Sequence, residues 1–149
     1  MFGDMDITKI TSSNYKNYDS LDIVAFSCAS PGAMGDGGAI IVVTTDGSVY
    51  YANPCKGDIS EEETLEICPP LKECRFGMFG GGDMPKGWQT IYLGCGNHLV
   101  INNNIAAQFH EIVERESIQK DFFLYRKWVD IVLEIVNVRP CDNKPEGIR

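Results

Sequence analysis

The chain has 149 residues, 44% hydrophobic and 23% charged, with a formal net charge of −8 and a pI near 4.7. That length supports one domain able to bury roughly two-thirds of its unfolded surface without metals or disulfides, and the composition excludes wholesale disorder. The acidic balance, with no basic patch along the chain, excludes a surface built for a polyphosphate backbone, so no nucleic-acid partner is expected.

Residues 1–6 lack the basic and apolar regions of a secretory signal, and no stretch reaches membrane-spanning length. A cytoplasmic protein without membrane contact is expected, its six cysteines reduced. Residues 1–20 are polar, with a short apolar set at Ile7 and Ile10, and read as a loosely held arm or a short edge element. Residues 21–29 carry apolar residues at alternate and intervening positions, the pattern of a largely buried strand. The glycine-rich residues 30–38 end without Gly-Lys-Ser/Thr and precede a strand instead of a helix, so neither a Walker loop nor a dinucleotide fingerprint has its context. They connect strands, or meet a ligand or partner through exposed amides.

Residues 39–45 and 48–52 flank Asp46-Gly47, the signature of a two-residue type I′ hairpin turn. This turn sets Thr45 opposite Ser48 and Val43 opposite Tyr50. Apolar residues on both faces place the hairpin inside the sheet. Ser60 with Glu63 forms a capping box for a short helix stopped by Pro69-Pro70, and Glu61, Glu62 and Glu63 fill its first turn. With Glu66 they either stabilise the helix N-terminus or present an acidic knob to a cationic partner. Residues 71–87 are too glycine-rich for a regular element. Within them Phe76, Met78 and Phe79 either anchor the loop or form an adaptable recognition surface.

Residues 87–102 read as a second hairpin, central to the sheet. Placing Ile91, Leu93, Leu99 and Ile101 on one face pairs Leu93 with Leu99 and Ile91 with Ile101 through a three-residue turn, Cys95-Gly96-Asn97. Asn103-Asn104 then caps a helix carrying Ile105, Phe109, Ile112 and Val113 at helical spacing, broken at 117–119. Asp121 caps a second helix to about Val138, with a broad apolar surface formed by Phe122, Tyr125, Val129, Val132 and Val136 beside Trp128, Ile131 and Ile135. Arg139-Pro140 stops it, and residues 141–149 read as a frayed tail.

Cys95 and His98 have the residue types of a nucleophile and base, but no third group is placed to orient the histidine. Only Cys95-x-x-His98 has zinc-pair spacing, and structural zinc sites need two close pairs, so neither a metal nor a cofactor is expected. The expected fold is a single α+β domain over residues 1–149, an antiparallel sheet of about five strands with two C-terminal helices packed on one face.

At Pro85-Lys86-Gly87-Trp88 and Tyr92-Leu93-Gly94-Cys95-Gly96-Asn97-His98-Leu99, together with Gly32-Ala33-Met34-Gly35, the chain resembles small bacterial immunity proteins of polymorphic toxin systems, over residues 24–100. The resemblance implies a non-enzymatic cytoplasmic inhibitor that binds and blocks one toxin domain. It carries over no functional residue. The acidic chain adds the expectation that the toxin domain is basic, contacted through Glu61, Glu62, Glu63, Glu66, Met78 and Phe79. The alternatives are a small cysteine-dependent enzyme using Cys95 and His98, and a small-molecule-binding domain using the glycine-rich loops.

Overall fold

The computed structural model describes residues 6–19, 21–29, 40–74, 86–94, 97–116 and 125–142. Among the described residues six strands form one sheet: β1 (Ile7–Lys9), β2 (Ile23–Ala29), β3 (Ile40–Thr44), β4 (Val49–Ala52), β5 (Trp88–Gly94) and β6 (Asn97–Asn102), in the order β1-β4-β3-β2-β6-β5. The described residues also form four α-helices of this α+β fold: α1 (Glu61–Ile67), α2 (Pro70–Cys74), α3 (Asn103–Arg115) and α4 (Tyr125–Asp142). Among the described residues no helix is long and apolar enough to cross a membrane.

The class expected from the sequence holds, with one strand more. All neighbouring strands pair antiparallel except β1, which runs parallel to β4 with Ile7 opposite Val49. This strand comes from the stretch read as an arm or short edge element. Three residues too short to show a period-two pattern make it, and Ile10 just beyond is buried in a core.

The sheet is covered on both faces. Ile41, Val43, Leu99 and Ile101 pack under α3 and α4, against Phe109, Trp128 and Val132. On the opposite face Phe26, Ile40, Val42 and Val100 pack against Ile10 and Tyr15 of the N-terminal segment, Ile59, and Ile67 and Leu71 of α1 and α2. The central strand β3 is buried at all five positions, which is why its sequence is apolar without alternation.

Both hairpins depart from their expected registers. In the first, Val43 lies opposite Val49 and Val42 opposite Tyr50, so three residues, Thr45-Asp46-Gly47, connect the strands instead of two. The Gly47 N–H donates to the Thr44 carbonyl at 3.0 Å and Gly47 sits at φ 86°, the arrangement of a turn followed by one left-handed residue. Asp46 selects it: its carboxylate accepts the Thr44 hydroxyl and the Ser48 N–H at 3.1 Å, and hydrogen bonds from Thr44 first and then Ser48 hold its pKa below the ordinary carboxylate value. A Cβ on Gly47 would stand 2.7 Å from Asn137 Oδ1 of α4 and force a positive φ on an L-residue. Gly47→Ala is therefore expected to cost about 1–2 kcal/mol, read from the urea midpoint.

In the second hairpin, Ile91 lies opposite Leu99 and Gln89 opposite Ile101, two residues away from the Leu93–Leu99 pairing. Such a slip keeps every side chain on its expected face, so hydrophobic parity cannot detect it. Polar contacts favour it. Gln89 reaches α3, where its Nε2 donates to Asn103 Oδ1 at 2.8 Å and its Oε1 lies 3.2 Å from His110 Nε2. An irregularity between Tyr92 and Gly94 sets Gly94 opposite Asn97, leaving residues 95–96 as the connection in place of a three-residue turn. The hairpin is not wholly central, because β6 is interior while β5 forms an edge.

Helix boundaries shift modestly. Asn102 caps α3, its Oδ1 accepting the Asn104 N–H at 2.8 Å, one residue before the expected cap. Residues 70–74, read as the end of one helix and the start of a loop, form α2, which Pro70 opens at the first-turn position where its missing N–H is not needed. α4 continues through Pro140, the expected stop. Its core contacts run to Val136, and a proline in the last turn removes only one N–H from a helix already anchored. The expected break at 117–119 and the Asp121 cap lie outside the described residues.

Candidate partner-binding face

The face opposite α3 and α4 carries most of the residues singled out for partner binding. α1 is capped by Ser60, whose Oγ accepts the Glu63 N–H at 3.0 Å, while Glu63 Oε1 accepts the Ser60 N–H at 3.0 Å. Thr64 and Ile67 point into the core, with the Thr64 hydroxyl donating to the Ser60 carbonyl at 2.8 Å. That rotation turns Glu61, Glu62 and Glu66 to solvent.

Glu63 has a different task. Its Oε1 also accepts the Ser12 hydroxyl at 2.7 Å, tying the N-terminal segment to the start of α1. The Ser12 hydroxyl and then the Ser60 backbone N–H hold the Glu63 carboxyl below its usual pKa. This tie is complete while Glu63 is ionised and weakens as pH falls through that lowered value. The Ser12 N–H donates to the Asp58 carbonyl at 2.8 Å and Lys9 Nζ lies 3.3 Å from Asp58 Oδ2, so the segment is held at several points. Glu63 is thus a structural clasp among the four glutamates read as a contact surface, leaving Glu61, Glu62 and Glu66 as the presented carboxylates.

Glu62 and Glu66 stand one helical turn apart, so their charges repel. Glu66 borders an open depression of ≈ 310 Å³ lined also by Lys16, Asp19, Leu65, Pro69 and Lys72. Lys16 lies over the Tyr15 ring, 4.9 Å from its centroid; Tyr15 chiefly, with Glu66 and Asp19, raises the Lys16 pKa. The lining balances two cations against two carboxylates, and the acidic excess comes from Glu61 and Glu62 beside it. This depression is not legible in the sequence, because its lysines come from a 3-10 turn (Tyr15–Tyr18) and from α2, elements assembled only by the second core.

Met78 and Phe79 lie outside the described residues, as does Cys95. The structure therefore gives no geometry for a Cys95–His98 pair; His98 stands on β6 opposite Tyr92 of β5 and Cys28 of β2. Cys55 is an exposed thiol and Cys68 a buried one. Among the described residues no group of three or more His, Cys, Asp or Glu is placed to hold a metal ion. Comparison with protein-family models, curated proteins and solved structures finds no match to this chain.

Proposed function

We propose that the chain is a non-enzymatic protein-binding domain that presents Glu61, Glu62 and Glu66, with the adjoining depression, to a protein partner with a basic surface. The observation that carries this reading is the exposure of three carboxylates on one seven-residue helix, with no salt bridge closing on them among the described residues. A cationic partner relieves the repulsion between Glu62 and Glu66, and the net charge of −8 steers it toward this protein during encounter. Leu65 and Pro69 give the depression apolar ground on which the contact can exclude water. The resemblance to immunity proteins names the partner class: a toxin domain bound stoichiometrically in the cytoplasm and blocked without a cofactor.

The test is affinity capture from cells that carry the gene, with the wild-type chain and a Glu61→Gln/Glu62→Gln/Glu66→Gln variant as parallel baits. The expected result is one protein with a basic domain, retained by the wild type, depleted on the variant and inhibited by the wild-type chain once purified. Capture of no protein, together with saturable binding or turnover of a small molecule, would overturn the proposal.

A further inference from the structure

Two polar atoms end inside the layer between the sheet and α4. Ser27 and Trp128 are both buried, yet among the described residues neither Ser27 Oγ nor Trp128 Nε1 has a hydrogen-bond partner. The two therefore do not bond each other. Ser27 lies on β2 directly between Ile41 of β3 and Leu99 of β6, so its side chain shares their side of the sheet. Ile41, Leu99 and Trp128 belong to one core, the one beneath α3 and α4.

The height of Trp128 over the sheet follows from the far end of its helix. A Cβ on Gly47 would stand 2.7 Å from Asn137 Oδ1, which puts Asn137 beside the β3–β4 turn. Because α4 packs on β3, Trp128 stands about 13 Å back from that turn at the α-helical rise per residue. Ile41 is about the same distance from the turn at the rise of an extended strand. Trp128 thus comes level with the row formed by Ile41, Ser27 and Leu99.

We propose that Ser27 Oγ and Trp128 Nε1 flank a binding site for one internal water molecule, which joins β2 to α4. An indole N–H only donates, so the guest must offer an acceptor, whereas the serine hydroxyl both donates and accepts. Water meets both demands with a single oxygen, and a buried water is held by as few as two polar partners. Ile41 and Leu99, neither exposed at all, stand on either side of Ser27, so a guest with a carbon skeleton would have to displace core side chains. The bound water removes the desolvation cost that an orphan hydroxyl and an orphan indole would each carry. This site is on the opposite face of the sheet from α1, and its failure would leave the partner-binding reading intact.

The experiment is a high-resolution crystal structure of the full chain, with magnetisation transfer from water to the indole N–H protons as its counterpart in solution. The crystal should show one water oxygen about 2.7–3.2 Å from both Ser27 Oγ and Trp128 Nε1. The chain has two tryptophans, and Trp88→Phe assigns the indole signal of Trp128. That signal should show cross-peaks to water of opposite sign in laboratory-frame and rotating-frame Overhauser spectra, the mark of a water held longer than the tumbling time. Ser27→Val, which fills the space with methyl groups, should abolish the water and the cross-peaks together. The proposal is overturned if Ser27 Oγ and Trp128 Nε1 each bond other protein groups or one another, if a molecule larger than water lies between them, or if no water oxygen reaches both. Should Ser27→Val not fold, the wild-type crystal and spectra decide the matter alone.

Discussion

Leu99→Ala is expected to lower the free energy of unfolding by about 2–5 kcal/mol, the range for emptying a fully buried leucine site that collapses only partly. Leu99 has no solvent exposure, lies between Ile91 on β5 and Ser27 on β2, and belongs to the core beneath α3 and α4. The void would open between two strands and the helix layer. Neither can close it without breaking the ladders on both sides of β6. Urea denaturation followed by circular dichroism measures the loss as a lower midpoint at unchanged slope. A loss below about 0.5 kcal/mol, the scale of an ordinary surface substitution, would place β6 outside the core.

Phe26→Ala is expected to cost as much or more, about 3–5 kcal/mol, on the opposite face of the same sheet. Phe26 is fully buried on β2, opposite Val42 and Val100, and its ring centroid lies 6.0 Å from that of Trp88 at a tilt of 56°. The N-terminal segment, Ile59, α1 and α2 close over it. A large loss in this variant shows that the second layer is integral to the fold. If Phe26→Ala cost no more than a surface substitution while Leu99→Ala cost several kcal/mol, the α1 face would be an adjunct, not a core, and the carboxylates on it would not be rigidly presented.

Much of this architecture is written in local chemistry. The apolar runs give β2, β3 and β4; the Ser60–Glu63 capping box gives the start of α1; and the Ile105, Phe109, Ile112 spacing gives the inner face of α3, because each signal acts within one element. What the sequence conceals depends on contacts between elements. The two-residue slip of β5 against β6 preserves hydrophobic parity and is favoured by Gln89 meeting Asn103 and His110. The one-residue shift at Asp46-Gly47 follows from which backbone and side-chain groups the Asp46 carboxylate accepts. β1 is specified less by its own three residues than by Ile10 and the parallel ladder beside Val49. At the candidate site, the exposed glutamates were legible, whereas the role of Glu63 as a clasp on Ser12 required residues distant in sequence to meet. The Lys16–Glu66–Lys72 depression was illegible for the same reason.

The central claim is that Glu61, Glu62 and Glu66 form a charge-steered contact, and the most direct measurement is the association rate of the captured partner as a function of ionic strength. For the wild type the rate should fall steeply as salt screens the exposed carboxylates, with dissociation nearly unchanged. The Glu61→Gln/Glu62→Gln/Glu66→Gln variant should associate about 3- to 10-fold more slowly at low salt and show a flatter salt dependence. Glu63→Ala should instead act on stability, through the lost cap and the lost Ser12 bond, and leave the salt slope in place. Equal association rates and equal salt slopes for wild type and triple variant, with both chains folded, would contradict the account and move the partner contact away from α1.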